Sequence, residues 1–286
     1  MELELRPINE GFGREVAGIN LWKVPDDKTI DSIATALSTV GVLVFRRQSL
    51  SEDEIINFTA RFGELEIIVR SDWGSNIRPE VTHLSNLKDA EGRQIGRPGS
   101  GDLEWHSDQS YQARPATGTF LYSVEVPTEG GNTYFANLHL AYEALPQNLK
   151  DEINGRRGVF SYAHRVTGYE QEKKLSREMK LKTPDVSHAL VQKHPLAGWH
   201  SLYLDPSTVI GIEGMPDKEA ASVLKKINSY AAEEQFVYRH EWQVGDLVMY
   251  DNGFTMHRRD SFDAKQRRFL KRTSVRLPSE RHIVPN

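Results

Sequence analysis

His106 and Asp108 stand two residues apart in LEWHSDQSY, residues 103 to 111, with aromatic residues on both sides. An imidazole and a carboxylate are two of the three donors that a facial iron(II) site requires, the remaining positions staying open for a cosubstrate and oxygen. On a strand, a spacing of two points both side chains to the same face, so one short segment supplies two ligands. The pair alone is weak, because His-x-Asp arises often by chance in surface loops. A third ligand must come from a distant strand, and the chain has ten histidines to choose from. His257 draws attention because it stands in GDLVMYDNGFTMHRRD, where a buried-looking strand ends in a turn that delivers a histidine.

The next element, RRFLKRTSVRL, places basic residues on a strand otherwise apolar enough to be buried. By alternation Arg268, Leu270, Arg272 and Ser274 share one face. A cation held in a barrel interior needs an anion. Where no acidic side chain supplies it, the carboxylate of a ligand does; the alternative is that both arginines face solvent.

These residues need elements to hold them. DDKTIDSIATALSTVG sets Ile30, Ile33, Ala34 and Leu37 at helical spacing, and VLVFR (42–46) reads as a buried strand. SEDEIINFTARFG has the capping-box pair Ser51 and Glu54, an apolar stripe of Ile55, Phe58 and Phe62, and Gly63 as its stop. GTFLYSVEVP (118–127) and NTYFAN (132–137) are β-rich runs split by a TEGG turn, and a helical piece is expected at about 138–150. Strand character returns at 158–162, 189–194 and 200–204. Residues 163–189 are charged and without firm periodicity, which suggests a mobile insertion or lid. DKEAASVLKKINSYAA is an amphipathic helix with Leu224, Ile227 and Tyr230 or Ala231 inward, and FVYRHEW, GDLVMYDN and RRFLKRTSVRL are strand-like. Many short strands with a few helices suggest a mainly β sandwich or jelly roll with helices packed outside. No linker-like stretch divides the 286 residues, so a single domain, 1–286, is expected.

Composition narrows the function. With 38% hydrophobic and 27% charged residues the chain is ordinary globular material. It has no cysteine, which excludes disulfides, iron–sulfur clusters and thiolate zinc sites. A net charge of −4 argues against nucleic acid as a partner. The charged N-terminus lacks a signal-peptide pattern, and VGVLVF (40–45) is too short to span a bilayer. A soluble cytoplasmic protein is expected, without membrane or nucleic-acid partners; a homo-oligomer is compatible with the sequence.

The ordered set GVLVFRRQSLSEDEIINFTARFGEL, WHSDQSY, VPTEGGNTYFANLHLAYEAL and GDLVMYDNGFTMHRRDSFDAKQRRFLKRTSVR resembles the taurine dioxygenase-like (TauD/TfdA) group of iron(II)- and 2-oxoglutarate-dependent dioxygenases. The resemblance covers most of the chain, the 163–189 segment excepted. It implies a double-stranded β-helix, or jelly roll, with flanking α-helices and iron at one mouth, with 2-oxoglutarate and O2 as cosubstrates and a small-molecule substrate. By the same resemblance His106, Asp108 and His257 are the iron ligands. Thr133 hydrogen-bonds the distal carboxylate of 2-oxoglutarate, Arg268 forms a salt bridge with it, and Arg272 lies near the cosubstrate and the substrate's anionic group. Related halogenases lack the carboxylate ligand; here Asp108 is present, so hydroxylation or desaturation is expected.

One departure concerns the substrate. Taurine-type members carry a histidine soon after the RFG helix, whereas this chain reads RFGELEIIVRSDWGSN, which speaks against sulfonates. Arg70 is a candidate replacement for that charge, and Trp73, Asn86 and Trp105 are candidate pocket residues. A small, anionic organic substrate is expected. Two other classes remain in view: a non-catalytic jelly-roll binding protein, which would normally have lost a ligand or Arg268, and a zinc-dependent hydrolase, which leaves Thr133 and Arg268 without a purpose. Consumption of 2-oxoglutarate separates all three.

Overall fold

The computed structural model describes residues 3–8, 12–67, 78–167, 181 and 183–286. Two β-sheets face each other. The larger runs β1 (Glu4–Pro7), β2 (Arg14–Ala17), β3 (Val42–Phe45), β15 (Leu247–Asp251), β7 (Gly118–Glu125), β17 (Phe269–Arg276) and β4 (Glu64–Leu65), and β5 (Thr82–Ser85) also pairs with β17. The smaller runs β14 (Val237–His240), β8 (Thr133–Asn137), β16 (Thr255–Arg259) and β6 (Leu103–His106). This is the jelly roll that the strand pattern suggested.

Strand alternation builds the layers. Val248 and Tyr250 of β15, Leu121 of β7, Leu270 of β17 and Phe135 of β8 point inward and meet between the sheets. Leu247 and Met249, Phe120 and Tyr122 point the other way, under α1 (Asp27–Val40) and α2 (Glu52–Thr59). Ala136 of β8 and Met256 of β16 face outward from the small sheet. They pack against α3 (Leu138–Ala144), α4 (Gln147–Ile153) and α6 (Asp217–Ala231). Each central strand therefore serves two apolar clusters with its two faces. A three-stranded sheet, β10 (Val186–Ala189), β9 (Arg157–Phe160) and β13 (Val209–Ile212), and the pair β11 (Val191–Lys193) with β12 (His200–Leu202) complete the small-sheet side.

Most local signals act as read, but α2 ends at Thr59 with Ala60 as its C-cap, short of the stop expected at Gly63. Ser51 and Glu54 form the capping box, and Asp26 caps α1, which ends at Gly41 in the left-handed region, φ 84°. Leu224, Ile227 and Ala231 are buried on α6, with Tyr230 packed beside them. The helix expected at 138–150 is two helices. Pro146 cannot continue the first, and the residue before it, Leu145, is extended. The ends of the segment expected as a lid are regular: α5 (Tyr162–Thr167) opens it and β10 closes it, while 168–180 and 182 lie outside the described residues. Among the described residues no helix is long and apolar enough to cross a membrane.

Candidate active site

His106 and His257 are cross-strand partners, the last residue of β6 opposite the middle of β16. Sheet register, not sequence proximity, brings their rings to a centroid distance of 4.1 Å. His257 thus lies on a strand rather than in a turn. Asp108 departs from the expected geometry in the opposite sense. β6 ends at His106, and Asp108 sits in the turn beyond it, before Gln109 at φ 57°. It still reaches the same side because Asn252 fixes the turn: its Oδ1 accepts the Asp108 N–H at 3.0 Å, and its Nδ2 donates to Thr117 O and Thr119 Oγ1. Donor atoms of His106, Asp108 and His257 all lie within 4.8 Å of one another, and all three residues are buried.

The protonation states suit a cation. Burial, reinforced by nearby positive charge including that of Arg165, holds His106 well below its usual range. Burial likewise pushes His257 down to about 4. Both rings are therefore neutral at pH 7. The Nδ1 of His106 stands 2.8 Å from the Glu104 carbonyl, which selects the tautomer with Nε2 free to coordinate. Burial pushes the Asp108 carboxyl up, but the charges around it, Arg272 first, outweigh it and keep it ionised. Its Oδ2 accepts from Thr119 Oγ1 at 3.0 Å and from the Tyr250 hydroxyl at 3.1 Å, and its Oδ1 accepts from Arg272 at 3.2 Å. Two neutral imidazoles and one oriented carboxylate, grouped on one side with no thiolate, are a donor set that fits iron(II).

His106 and His257 line a cavity of about 320 Å³ together with Thr133, Tyr250, Arg268 and Arg272. Arg268 is its most unusual feature. It is only 4% exposed, and its Nε has no hydrogen-bond partner among the described residues. Burial, then repulsion from Arg259, pushes its guanidinium down to about 9, with Asp260 opposing. Gly131 leaves room beside it: at φ 69°, a Cβ there would stand 3.3 Å from Arg268 Nε and 2.9 Å from Pro127 Cγ. A buried guanidinium whose Nε lacks a hydrogen-bond partner among the described residues, next to a gap, is chemically suited to receive an anion.

The remaining predicted residues separate. Arg272 shares the pocket face with Arg268 and Leu270 as alternation required, but its Nη1 is paired with Asp108. Asn86 lines the cavity, yet its amide is occupied: Nδ2 donates to Ala264 O and Gln266 O, and Oδ1 accepts the Arg268 N–H at 2.9 Å. It buttresses Arg268 and is not free for a substrate. Trp105 is a correction. It alternates away from His106, packs on the outer core beside α6 and lies under Arg258 at 5.4 Å. Arg70 and Trp73 lie outside the described residues. Sequence reading missed Thr119, Tyr250, Asn252 and the buried cation Arg165 of α5. For Tyr250 a signal existed, since alternation along LVMYD puts it on the inward face with Val248.

Comparison with known proteins places the chain in a family. The family described as "Taurine catabolism dioxygenase TauD, TfdA family" matches residues 4–274. The chain is 32% identical to the alpha-ketoglutarate-dependent 2,4-dichlorophenoxyacetate dioxygenase of Cupriavidus pinatubonensis, over 96% of this chain and 98% of the relative. It is 30% identical to pentalenolactone F synthase of Streptomyces avermitilis, over 91% and 90%. The crystal structure of AAD-2 in complex with Mn(II) and N-oxalylglycine superposes with a TM-score of 0.82 at 29% identity, covering 97% of this chain and 98% of that one. The chain belongs to the TauD/TfdA dioxygenase family.

Proposed function

We propose that His106, Asp108 and His257 hold one iron(II) ion and that Arg268 and Thr133 receive the distal carboxylate of 2-oxoglutarate. The whole chain acts as one oxygenase domain that hydroxylates or desaturates an unactivated C–H bond of a small anionic molecule. The enzyme class, an Fe(II)- and 2-oxoglutarate-dependent dioxygenase using O2, follows from the family. The observation that carries the residue roles is that His106 and His257, two members of the three-donor cluster, share one cavity with Arg268, whose Nε has no hydrogen-bond partner among the described residues.

Iron held there would supply the oxidative chemistry, coupling decarboxylation of 2-oxoglutarate to succinate and CO2 with oxidation of the substrate C–H bond. The chain's own residues do the positioning. Neutral His106 and His257 offer lone pairs without a competing proton. Thr119, Tyr250 and Arg272 orient the Asp108 carboxylate. Burial, then the Asp108 charge, keeps the Tyr250 hydroxyl protonated and therefore a donor. Arg268 offers a bidentate fork to a carboxylate, from a buried position that strengthens the pair.

The substrate reading rests on charge and on relatives. Arg272 lines the cavity and keeps a buried Nε without a partner, which suits the anionic group of a substrate. A relative at 32% identity is named for 2,4-dichlorophenoxyacetate, a carboxylate on an apolar body. Arg70 and Trp73 belong to the same substrate reading. The test is succinate release across a panel of small carboxylates and amino acids that includes phenoxyacetates, each acid run beside its methyl ester. Stimulation by acids but not esters is expected. If no compound couples 2-oxoglutarate loss to its own oxidation, the oxygenase roles fail. An ester turned over as efficiently as its acid removes the anionic-substrate idea alone.

A further inference from the structure

We infer that Trp242 is a positioning residue for 2-oxoglutarate: its indole N–H, donated to Thr133 Oγ1, aims the threonine hydroxyl proton into the cavity at the ligand carboxylate. The inference rests on the reading that Thr133 and Arg268 receive that carboxylate.

The hydrogen bond is 3.0 Å long and buried at both ends. An indole N–H only donates, so Thr133 Oγ1 is the acceptor. A hydroxyl has one proton and two lone pairs. With one lone pair taken by Trp242, the proton is turned away from the indole, and among the described residues no protein group accepts it. Thr133 lines the cavity together with Arg268. A proton without an acceptor beside a guanidinium without an anion is the complement of a carboxylate, which accepts only. Without the indole, the Thr133 oxygen is free to turn a lone pair toward the unsatisfied Arg268 and compete with the ligand. Accepting the indole bond also polarises the hydroxyl and strengthens its own donation.

The fold holds Trp242 rigidly for this task. His240 of β14 is the register partner of Thr133 of β8, so Trp242, two residues on, emerges beside the threonine. The indole stands edge-on to the His240 ring, at 4.5 Å and 83°. His240 is itself locked: its Nδ1 meets the Tyr238 hydroxyl at 2.8 Å and its Nε2 meets Asp246 Oδ2 at 3.2 Å, while Asp246 also pairs with Arg46.

The experiment is a double-mutant cycle read by calorimetric binding of N-oxalylglycine to the Mn(II)-loaded protein, with Mn(II) affinity measured separately. Thr133→Val is expected to weaken N-oxalylglycine about tenfold, and Trp242→Phe about fivefold, each with Mn(II) affinity unchanged. The double variant is expected to match Thr133→Val, because the indole acts only through the hydroxyl. If Thr133→Val binds like wild type, the assignment of Thr133 to the carboxylate is overturned, and this inference with it. If Thr133→Val weakens binding while Trp242→Phe does not, or if the two losses multiply, the assignment stands and the positioning role falls. Should Trp242→Phe not fold, the indole 15N–1H signal of Trp242 in the Zn(II)-loaded protein decides. It is expected to shift on N-oxalylglycine binding in wild type and Thr133→Ser but not in Thr133→Val. No shift in wild type overturns the role.

Discussion

Replacing Arg268 with Met separates function from stability, and the two effects have opposite signs. An ordinary guanidinium titrates near about 12.5. In the ligand-free protein, burial and the neighbouring Arg259 hold Arg268 down to about 9. At about 1.4 kcal/mol for each factor of ten, the charged form costs the folded protein about 5 kcal/mol. Structural relaxation and water entry remove a good part of this, so roughly 2 kcal/mol is the usable figure. Methionine keeps the apolar stem and drops the charge. The ligand-free Arg268→Met variant should therefore melt about 4 °C higher than wild type. Binding moves the other way. Losing a desolvated charge-assisted partner costs on the order of 3–5 kcal/mol, at least a hundredfold in 2-oxoglutarate affinity. Mn(II) affinity should stay unchanged, because the three donor residues are untouched. Calorimetry of 2-oxoglutarate on the Mn(II)-loaded protein and a thermal melt of the ligand-free protein measure both arms. A variant that binds 2-oxoglutarate within threefold of wild type, or that melts lower than wild type, refutes the account of Arg268 as an anion receptor held at a cost in stability.

Three further outcomes follow from the same geometry. Because His257 titrates near 4 and His106 well below its usual range, protons should not compete for the metal until the pH is far below neutral. Mn(II) affinity should stay within about twofold from pH 7.5 to 6.0, whereas two ordinary histidines would lose roughly 14-fold; a loss above about fivefold contradicts the buried-neutral assignment. Anaerobic 2-oxoglutarate added to the Fe(II)-loaded protein should give a visible charge-transfer band, absent in His257→Ala; an undiminished band in that variant means that the third ligand is misassigned. Gly131→Ala should cost about 1–2 kcal/mol of stability, because the backbone is left-handed there. It should also weaken 2-oxoglutarate by crowding Arg268 while sparing Mn(II), and calorimetry showing both affinities intact would disprove the close approach.

What the sequence revealed of the fold depended on how local each signal was. The helices α1, α2 and α6 and the strands β3, β7, β8, β15 and β17 carry their period and their stops within a dozen residues, so they were readable. The strands β1, β2, β4, β5 and β13 are two to four residues long and are held by pairing with distant partners, which no local pattern encodes. β16 was hidden for another reason. Only Asn252, Gly253 and Phe254 separate it from β15, and the turn signal of DNG ran over the start of a strand whose TMHRR sequence is largely polar. The break at Pro146 was visible in the sequence and should have divided the helix expected at 138–150.

The site shows the same division, with one instructive exception. That His106 and His257 face each other depends on the register of β6 against β16, and that Trp242 meets Thr133 depends on the register of β14 against β8. Neither register can be computed from one sequence, so resemblance was needed to select His257 from ten histidines and to single out Thr133 at all. Arg268 needed it less. Alternation put its guanidinium on one face with Leu270 and Arg272 and left open whether that face looked inward or to solvent; the structure buries it, and a buried charge calls for an anion. The structure supplies none: Asp260 is near enough to be felt but forms no ion pair with Arg268 among the described residues. Arg272, four residues along the same face, has its anion in Asp108. The two arginines thus differ in their partners, Arg272 meeting an acidic side chain of the chain and Arg268 none among the described residues, which is why the proposed carboxylate of 2-oxoglutarate is assigned to Arg268.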